Sequence, residues 1–465
     1  MAGTKGRGPA APGGAAAEVA DEPAEVISRS AAVDVAKGSG MVCTRVPHES
    51  KAGRRVQRVW QAGAAYAGVM TLMDHLVCQG IQRLVLESTS DYWRIWYYLA
   101  EAAGLEVWLV SARDVKHLPG RPKTDKLDCV WLCKLNGRGM LRRSFVPPGA
   151  IRDLRALTRL RSRLTRDKAR HQNRIEKILE DALLKISSVI SGLMGQSGRR
   201  FPAALIAGER RPRALAALGD RRLKATPAEL QAALTGRFRD IHALETGMLL
   251  DLIDGLSAKI TQLDQQITGL LVQIPGVAGA CTSCGETGGA HAPGCAGAHA
   301  PVLSVIGRLD EIPGVGPDAA RVIVAELGMD MTQFPAPGHA AARARLTSRT
   351  IESGATSKNG RTGKGDPCLR GALGQCVMAA ARTGTFLGER CRRIARRRGK
   401  QKAIIAIART ITEIAWLIIS DPGIRFIELG PDCYARFHAG RQTRNKIREL
   451  ERLNPGMKVT LTPAA

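Results

Sequence analysis

Four carboxylates in the first third of the chain have the residue types and spacing for phosphodiester chemistry. Asp125 and Asp128 stand three apart in Arg121-Pro122-Lys123-Thr124-Asp125-Lys126-Leu127-Asp128. Thr124 suits a helix N-cap, and Leu127, Val130 or Trp131, and Leu135 follow at helical spacing. Both acids then leave the first turn on one face, with Cβ atoms about 5–6 Å apart. Ringed by Arg121, Lys123 and Lys126, such a pair can share divalent cations beside a bound phosphate. The plain alternative is an exposed helix start whose acids the dipole favours.

The elements around this helix supply two more acids. Ala31-Ala32-Val33-Asp34-Val35-Ala36-Lys37 predicts a strand with Asp34 among apolar neighbours, where a lone carboxylate is expensive unless a metal or donor compensates it. Residues 64–79 predict a helix, and Arg83 to Thr89 a second strand that ends on the acid Glu87. An aromatic helix with Tyr92, Trp93, Trp96, Tyr97 and Leu99 follows, then a third strand from Leu105 to Val110. This alternation predicts an α/β domain, with acids at strand ends or just beyond, where such sheets place their sites. Asp34, Glu87, Asp125 and Asp128 together suit a two-metal site, with ions about 3.5–4 Å apart serving the attacking and leaving oxygens.

Three segments resemble the signatures of one family. They are Val33-Asp34-Val35-Ala36-Lys37, Glu87-Ser88-Thr89 with Tyr92-Trp93, and Lys123-Thr124-Asp125 with Asp128. They resemble the DEDD-type insertion-sequence transposases, the bridge-RNA-guided recombinases. The resemblance implies a RuvC-like first domain with a ribonuclease-H-type sheet, whose acids Asp34, Glu87, Asp125 and Asp128 bind Mg2+. Ser90 stands where the family usually has Gly, and Cys129 where it usually has Ala.

Bulk composition points to a polyanionic partner. Across 465 residues, 69 Lys and Arg stand against 42 Asp and Glu, a formal net charge of +27. At 44% hydrophobic content the chain can build two or more cores. A membrane surface is the competing partner. However, the most apolar run, Ala403 to Ile419, is broken by Arg409 and Glu413 and reads as a buried helix. No apolar signal segment opens the chain, and eleven cysteines without a framework fit a reducing interior. The expected setting is the bacterial cytoplasm, at the nucleoid, with no membrane partner.

From Ile151 the pattern becomes helical. Leu154, Leu157, Leu160 and Leu164 form a stripe, while Arg155, Arg159, Arg163, Arg166 and Arg170 crowd the rest as candidate phosphate contacts. Aromatic interleaving is absent, so a backbone or duplex is the expected ligand. Leu256, Ile260, Leu263, Ile267 and Leu270 suit either a dimerising coiled coil or packing within one chain. Cys281, Cys284, Cys295 and His299, with His291 nearby, sit in a Gly/Ala-rich insert and could ligate Zn2+ or do nothing.

Leu309 to Ala320 has the form of a helix-hairpin-helix turn, with Gly314 and Gly316 able to admit a phosphate. An ordinary Gly-Pro turn is the alternative. Downstream, Glu352-Ser353-Gly354 precedes Gly360-Arg361-Thr362-Gly363-Lys364-Gly365 and Leu369-Arg370. A serine needs a base, a metal or a dense positive field to attack phosphorus, and Arg361, Lys364 and Arg370 could supply the field. The order resembles the family's second domain and implies that Ser353 is the nucleophile that bonds to DNA. Where the family usually carries Trp-Ala-Gly-Leu-x-Pro, this chain has Ala341 to Ser348. Arg396 and Arg397 lie in a later basic run and are further candidate phosphate contacts.

The expected organisation has five parts. Residues 1–27 form a disordered tail, 28–148 the RuvC-like domain and 149–275 a basic helical and coiled-coil linker. Residues 276–302 form the Cys/His/Gly-rich insert, and 303–465 a mainly α C-terminal domain with the hairpin motif and the serine loop. The resemblance implies a transposase assembled as a dimer or tetramer, with DNA and a noncoding guide RNA as partners. Two other classes stay open: a metal-dependent junction nuclease without a covalent serine, and an inactive nucleic-acid-binding remnant.

Overall fold

The structure, a computed structural model, describes residues 16–20, 26–51, 54–88, 90–111, 124–190, 192–195, 198–220, 223–277, 303–348, 350–354, 356–360, 362–363, 365–437 and 439–460. The chain divides into two compact units, Met1–Val146 and Pro147–Ala465.

The first unit is a mixed sheet with helices on both faces. Its strands are β1 (Ala16–Ala20), β2 (Ser30–Val35), β3 (Ser39–Pro47), β4 (Arg54–Gly63), β5 (Arg83–Ser88) and β6 (Glu106–Ser111). The sheet order is β1-β4-β3-β2-β5-β6. β3 runs antiparallel to both neighbours, while β5 and β6 run parallel to β2. Helices α1 (Tyr66–Cys78) and α2 (Trp93–Ala102) cover one face through Val69, Leu72, Met73, Leu76, Trp96 and Ala100, packed on Ala31, Val33, Leu84 and Leu86. Helix α3 (Asp125–Gly137) covers the other, where Cys129, Leu132 and Cys133 meet Ala32, Cys43 and Val85. This is the expected α/β domain and fits a RuvC-like fold.

Two features differ from the sequence reading. The β3–β4 hairpin occupies the stretch between the Asp34 strand and the helix at 66–78. It was hidden because Arg45 and Arg55 are buried within it, breaking the apolar alternation. The tail expected to be disordered contains β1, which pairs with the otherwise open edge of β4.

The second unit is mostly helical. Helices α4 (Gly149–Asp181) and α5 (Asp240–Gln273), each about 50 Å long at 1.5 Å per residue, form an antiparallel hairpin. At one end Ile151 and Leu154 meet Ile267 and Leu271; at the other Ile175 and Leu179 share a cluster with Leu250 and Ile253. Of the leucine-isoleucine seam of α5, Ile267 packs against α4 of its own chain, while Leu256, Ile260, Leu263 and Leu270 are half-buried. Short helices between 186 and 233 close the far end through Phe201, Leu205, Leu215 and Leu230.

The near end continues into α6 (Val305–Asp310), α7 (Pro317–Leu327), α8 (Pro337–Arg343), the hairpin β7 (Thr350–Ser353) and β8 (Thr356–Asn359), α9 (Pro367–Ala380), α10 (Phe386–Arg398) and α11 (Lys400–Ser420). The helices expected as a linker share one core with these elements. Helix α11 is long and apolar enough to span a bilayer by composition. It nevertheless buries Ala403, Ile407, Ile411, Ala415 and Ile418 in that core at spacings of three and four, as a core helix does.

Candidate active site

Asp34 and Glu87 each stand one residue from the carboxyl end of their strands, and the register pairs them directly. Strand alternation puts both on the face that α3 covers, about 4.8 Å apart at the backbone. Their row across the sheet reads Gln61, Met41, Asp34, Glu87, Val110, above the apolar row Val59, Cys43, Ala32, Val85, Trp108. Apolar below and acidic at the rim is the pattern of a site at strand ends. Glu87 is buried and Asp34 half-buried.

Helix α3 starts above that row. Thr124 caps it, its Oγ1 accepting from the Leu127 amide at 3.4 Å, as the sequence predicts. Three side chains one turn apart then fasten the helix to sheet carbonyls. Cys129 Sγ donates to Met41 O at 2.9 Å, Cys133 Sγ to Ser30 O at 3.4 Å, and Asn136 Nδ2 to Ala31 O at 3.2 Å and Arg83 O at 3.1 Å. Met41 is the register partner of Asp34, so Cys129, the residue after Asp128, is anchored beside the acidic row. Burial pushes the Cys129 thiol well up; a hydrogen bond with Cys133, then burial, does the same for Cys43. These are packing thiols, not nucleophiles.

Asp125 opens α3; its side chain lies outside the described ones. Asp34, Glu87 and Asp128 are not among the described groups whose ligand atoms all fall within 4.8 Å of one another. Two ions 3.5–4 Å apart spread their ligands wider than one such sphere. The donor set consists only of carboxylate oxygens, which suits a hard divalent cation.

In the second unit Ser353 ends β7, paired with Thr356 across a tight turn in which Gly354 has φ +56°. The side chain of Ser353 and residues Arg361 and Lys364 lie outside the described set, as do Cys281, Cys284, His291, Cys295 and His299. The segment after the hairpin is held firmly. Arg370 Nη1 donates to Gly363 O at 3.0 Å, and Asp366 caps α9 by accepting from the Cys368 and Leu369 amides at 2.8 and 3.2 Å. Gly365 lies so close to the Ala344 carbonyl that a Cβ would sit 2.6 Å from it.

Asp366 belongs to an ion cluster not anticipated from sequence. Arg159 Nη2 reaches Asp366 Oδ2 at 2.5 Å, and its Nε reaches Glu326 Oε1 at 2.7 Å; Arg155 Nε lies 3.1 Å from Glu326 Oε2. Burial pushes the Glu326 carboxyl up. For Asp366 burial acts upward too, but its hydrogen bond with Glu326 and the Arg159 charge outweigh it and hold it low. With Cys368 these acids form the one described trio whose potential ligand atoms fall within 4.8 Å. Arg159 serves there as the cation. The available signal was Glu326 itself, a lone acid in the apolar run Val322-Ile323-Val324-Ala325-Glu326-Leu327.

The arginines of α4 therefore divide. Arg155 and Arg159 turn inward to this cluster, and Arg161 pairs with Asp264 and Asp318. These guanidiniums tie helices together, which corrects the reading of Arg155 and Arg159 as phosphate contacts. Arg163, Arg166 and Arg170 stay exposed. Gly314, expected to admit a phosphate, has φ +86° and lies against α9: a Cβ there would sit 2.3 Å from Cys376 O. Packing explains that glycine. Gly316 precedes α7 with open space around it.

Comparison with family models gives two matches. Residues 31–183 match the transposase model DEDD_Tnp_IS110, and residues 307–391 match the model described as Transposase IS116/IS110/IS902 family. Together they span the acidic row, α3, all of α4 and the serine hairpin. A search of curated proteins found no match.

Proposed function

The chain belongs to the IS110 family of DEDD transposases, and on that premise we propose how its two units divide the chemistry. It is an insertion-sequence transposase that acts on DNA and requires a divalent metal. Asp34, Glu87, Asp125 and Asp128 form the metal-holding site, Ser353 is the nucleophile, and a noncoding RNA selects the DNA. The observation that carries the reading is the shared register of Asp34 and Glu87 beneath the start of α3.

Mg2+ is the cation these oxygen donors suit, and when bound it would neutralise charge on the scissile phosphate. The carboxylates fix the geometry of that phosphate at the strand ends. The Ser353 hydroxyl gives up its proton and its oxygen bonds to phosphorus, while the bond to the 3′ oxygen breaks and that oxygen takes a proton. A 3′-hydroxyl from the exchanged strand then attacks the phosphoserine, restoring serine and joining the strands. Ser353 ends β7, next to the hairpin turn, and in this reading it attacks the strand while the exposed Arg163, Arg166 and Arg170 hold the backbone. Arg361, Lys364 and Arg370 would add positive field near the serine. Assembly into dimers or tetramers, Zn2+ in the 281–299 insert and a nucleoid location in the cytoplasm belong to the same proposal.

The test is a covalent adduct. Full-length protein, co-expressed with its flanking DNA so that any element RNA is present, is incubated with that DNA and Mg2+ and analysed in denaturing detergent. Wild type should carry an adduct at Ser353, and Ser353→Ala none. Cutting that persists in Ser353→Ala without any adduct would replace this reading with a RuvC-like nuclease.

A further inference from the structure

Helix α10 has two differently populated basic faces. On one, Arg392 and Arg396 share the carboxylate of Glu389, at 3.1 and 3.5 Å. On the other, Arg390, Arg393, Arg397 and Arg398 line a concavity of about 360 Å³ with Ile394 and Tyr434. Among the described residues, none of these four has a carboxylate partner. Four guanidiniums in one hollow repel each other until an anion arrives.

The hollow is also braced. The Tyr434 ring stacks on Phe386, with centroids 5.2 Å apart and planes 18° from parallel. The Arg393 guanidinium lies over the same ring, 4.2 Å from its centroid. Phe386 is tied in turn, its amide donating to Glu428 Oε1 at 2.7 Å. A guanidinium held flat on a ring loses less freedom on binding than a loose one. With that ring engaged by Phe386 and Arg393, it offers little surface on which a base could stack.

We propose that this hollow is a phosphodiester-binding site that grips a nucleic-acid backbone by charge and spacing without reading bases. The volume exceeds one phosphate and suits a stretch of backbone. The proposal rests on the nucleic-acid role of the chain but not on Ser353 chemistry.

The experiment compares full-length wild type, Arg390→Ala/Arg393→Ala/Arg397→Ala, Arg393→Lys and Tyr434→Leu. Each is titrated against mixed-sequence single-stranded DNA, duplex DNA and an RNA hairpin, over a series of salt concentrations. The triple variant should lower the slope of log affinity against log salt by about 2–3, roughly one per lost contact. The drop should be equal across unrelated sequences of one strand type. The strand type with the largest drop identifies the source of the phosphates. Tyr434→Leu and Arg393→Lys, which keep every charge, should weaken binding several-fold because the fork is no longer held. Arginine modification by phenylglyoxal, read by mass spectrometry, should show Arg390, Arg393, Arg397 and Arg398 protected by the bound strand. An unchanged salt slope in the triple variant, or equal modification with and without nucleic acid, would overturn the site. Ser353 adduct formation is read separately, so either proposal can fail alone.

Discussion

Asp34 and Glu87 are direct neighbours on adjacent parallel strands, at one register position and on the sheet face that α3 covers. Each is an acid in a row that is otherwise Gln61, Met41 and Val110, so removing its charge leaves the sheet's packing intact. Asp34→Asn and Glu87→Gln should each reduce Mg2+-dependent DNA cleavage by about 100-fold or more while nucleic-acid affinity holds within about twofold. Cleavage assays beside filter binding decide this; cleavage near wild-type level in either variant removes the acidic row from the mechanism.

Thr124 fixes where α3 begins, and so where Asp125 and Asp128 stand. Thr124→Ala should cost about 1 kcal/mol in a denaturant melt. Its cleavage rate should fall further than that loss implies, because the first turn frays beneath the acids. Thr124→Ser, which keeps the capping oxygen, should restore both. Equal activity in Thr124→Ala and wild type would show that the cap has no part in positioning.

The Glu326 cluster makes a signed prediction about pH. The Glu326 pKa is raised by burial, so its contribution to stability is full below the ordinary carboxylate range and declines as pH rises through the raised value. Asp366 is held low, so its contribution is present above that range and is lost only as pH falls through the depressed value. Glu326→Gln removes the first effect and keeps an amide that can donate to Asp366 in place of the carboxyl. Relative to wild type, the melting temperature of Glu326→Gln should therefore improve as pH rises above the ordinary carboxylate range. Glu326→Ala should lose about 3–5 kcal/mol, because it removes the buried carboxylate that Arg155 and Arg159 share. A pH-independent difference between Glu326→Gln and wild type would show that Glu326 is ionised throughout.

The two glycines of the α6–α7 turn should separate under substitution. Gly314→Ala puts a Cβ 2.3 Å from Cys376 O at φ +86° and should destabilise the protein by about 2–5 kcal/mol. Gly316→Ala meets nothing within 4 Å and should stay within about 1 kcal/mol. If Gly314→Ala instead melts like wild type and binds DNA less well, the turn is a phosphate grip after all.

The acidic row was legible because its strands are short apolar runs, each closing on a carboxylate, and because Thr124 is a strong cap. The β3–β4 hairpin was not, since Arg45 and Arg55 lie buried where alternation demands apolar residues; Arg45 reaches Gln57 Oε1 at 2.9 Å and Arg55 the Ser28 carbonyl at 2.6 Å. Charge sign likewise reveals nothing about direction. Arg159 and Arg163 look alike in sequence, yet one reaches Glu326 and the other faces solvent. Only the acids opposite distinguish them, and those lie more than 160 residues away.

Helix α3 rests on sulfur. Cys129 and Cys133 of the helix and Cys43 of the sheet are fully shielded where the two meet, whereas Cys78 is open to solvent. An alkylating reagent should label Cys78 at once and the three shielded thiols only when the helix lifts from the sheet. Their labelling rate is thus a native stopwatch for the opening of the surface that carries two of the four acids, readable without any introduced probe.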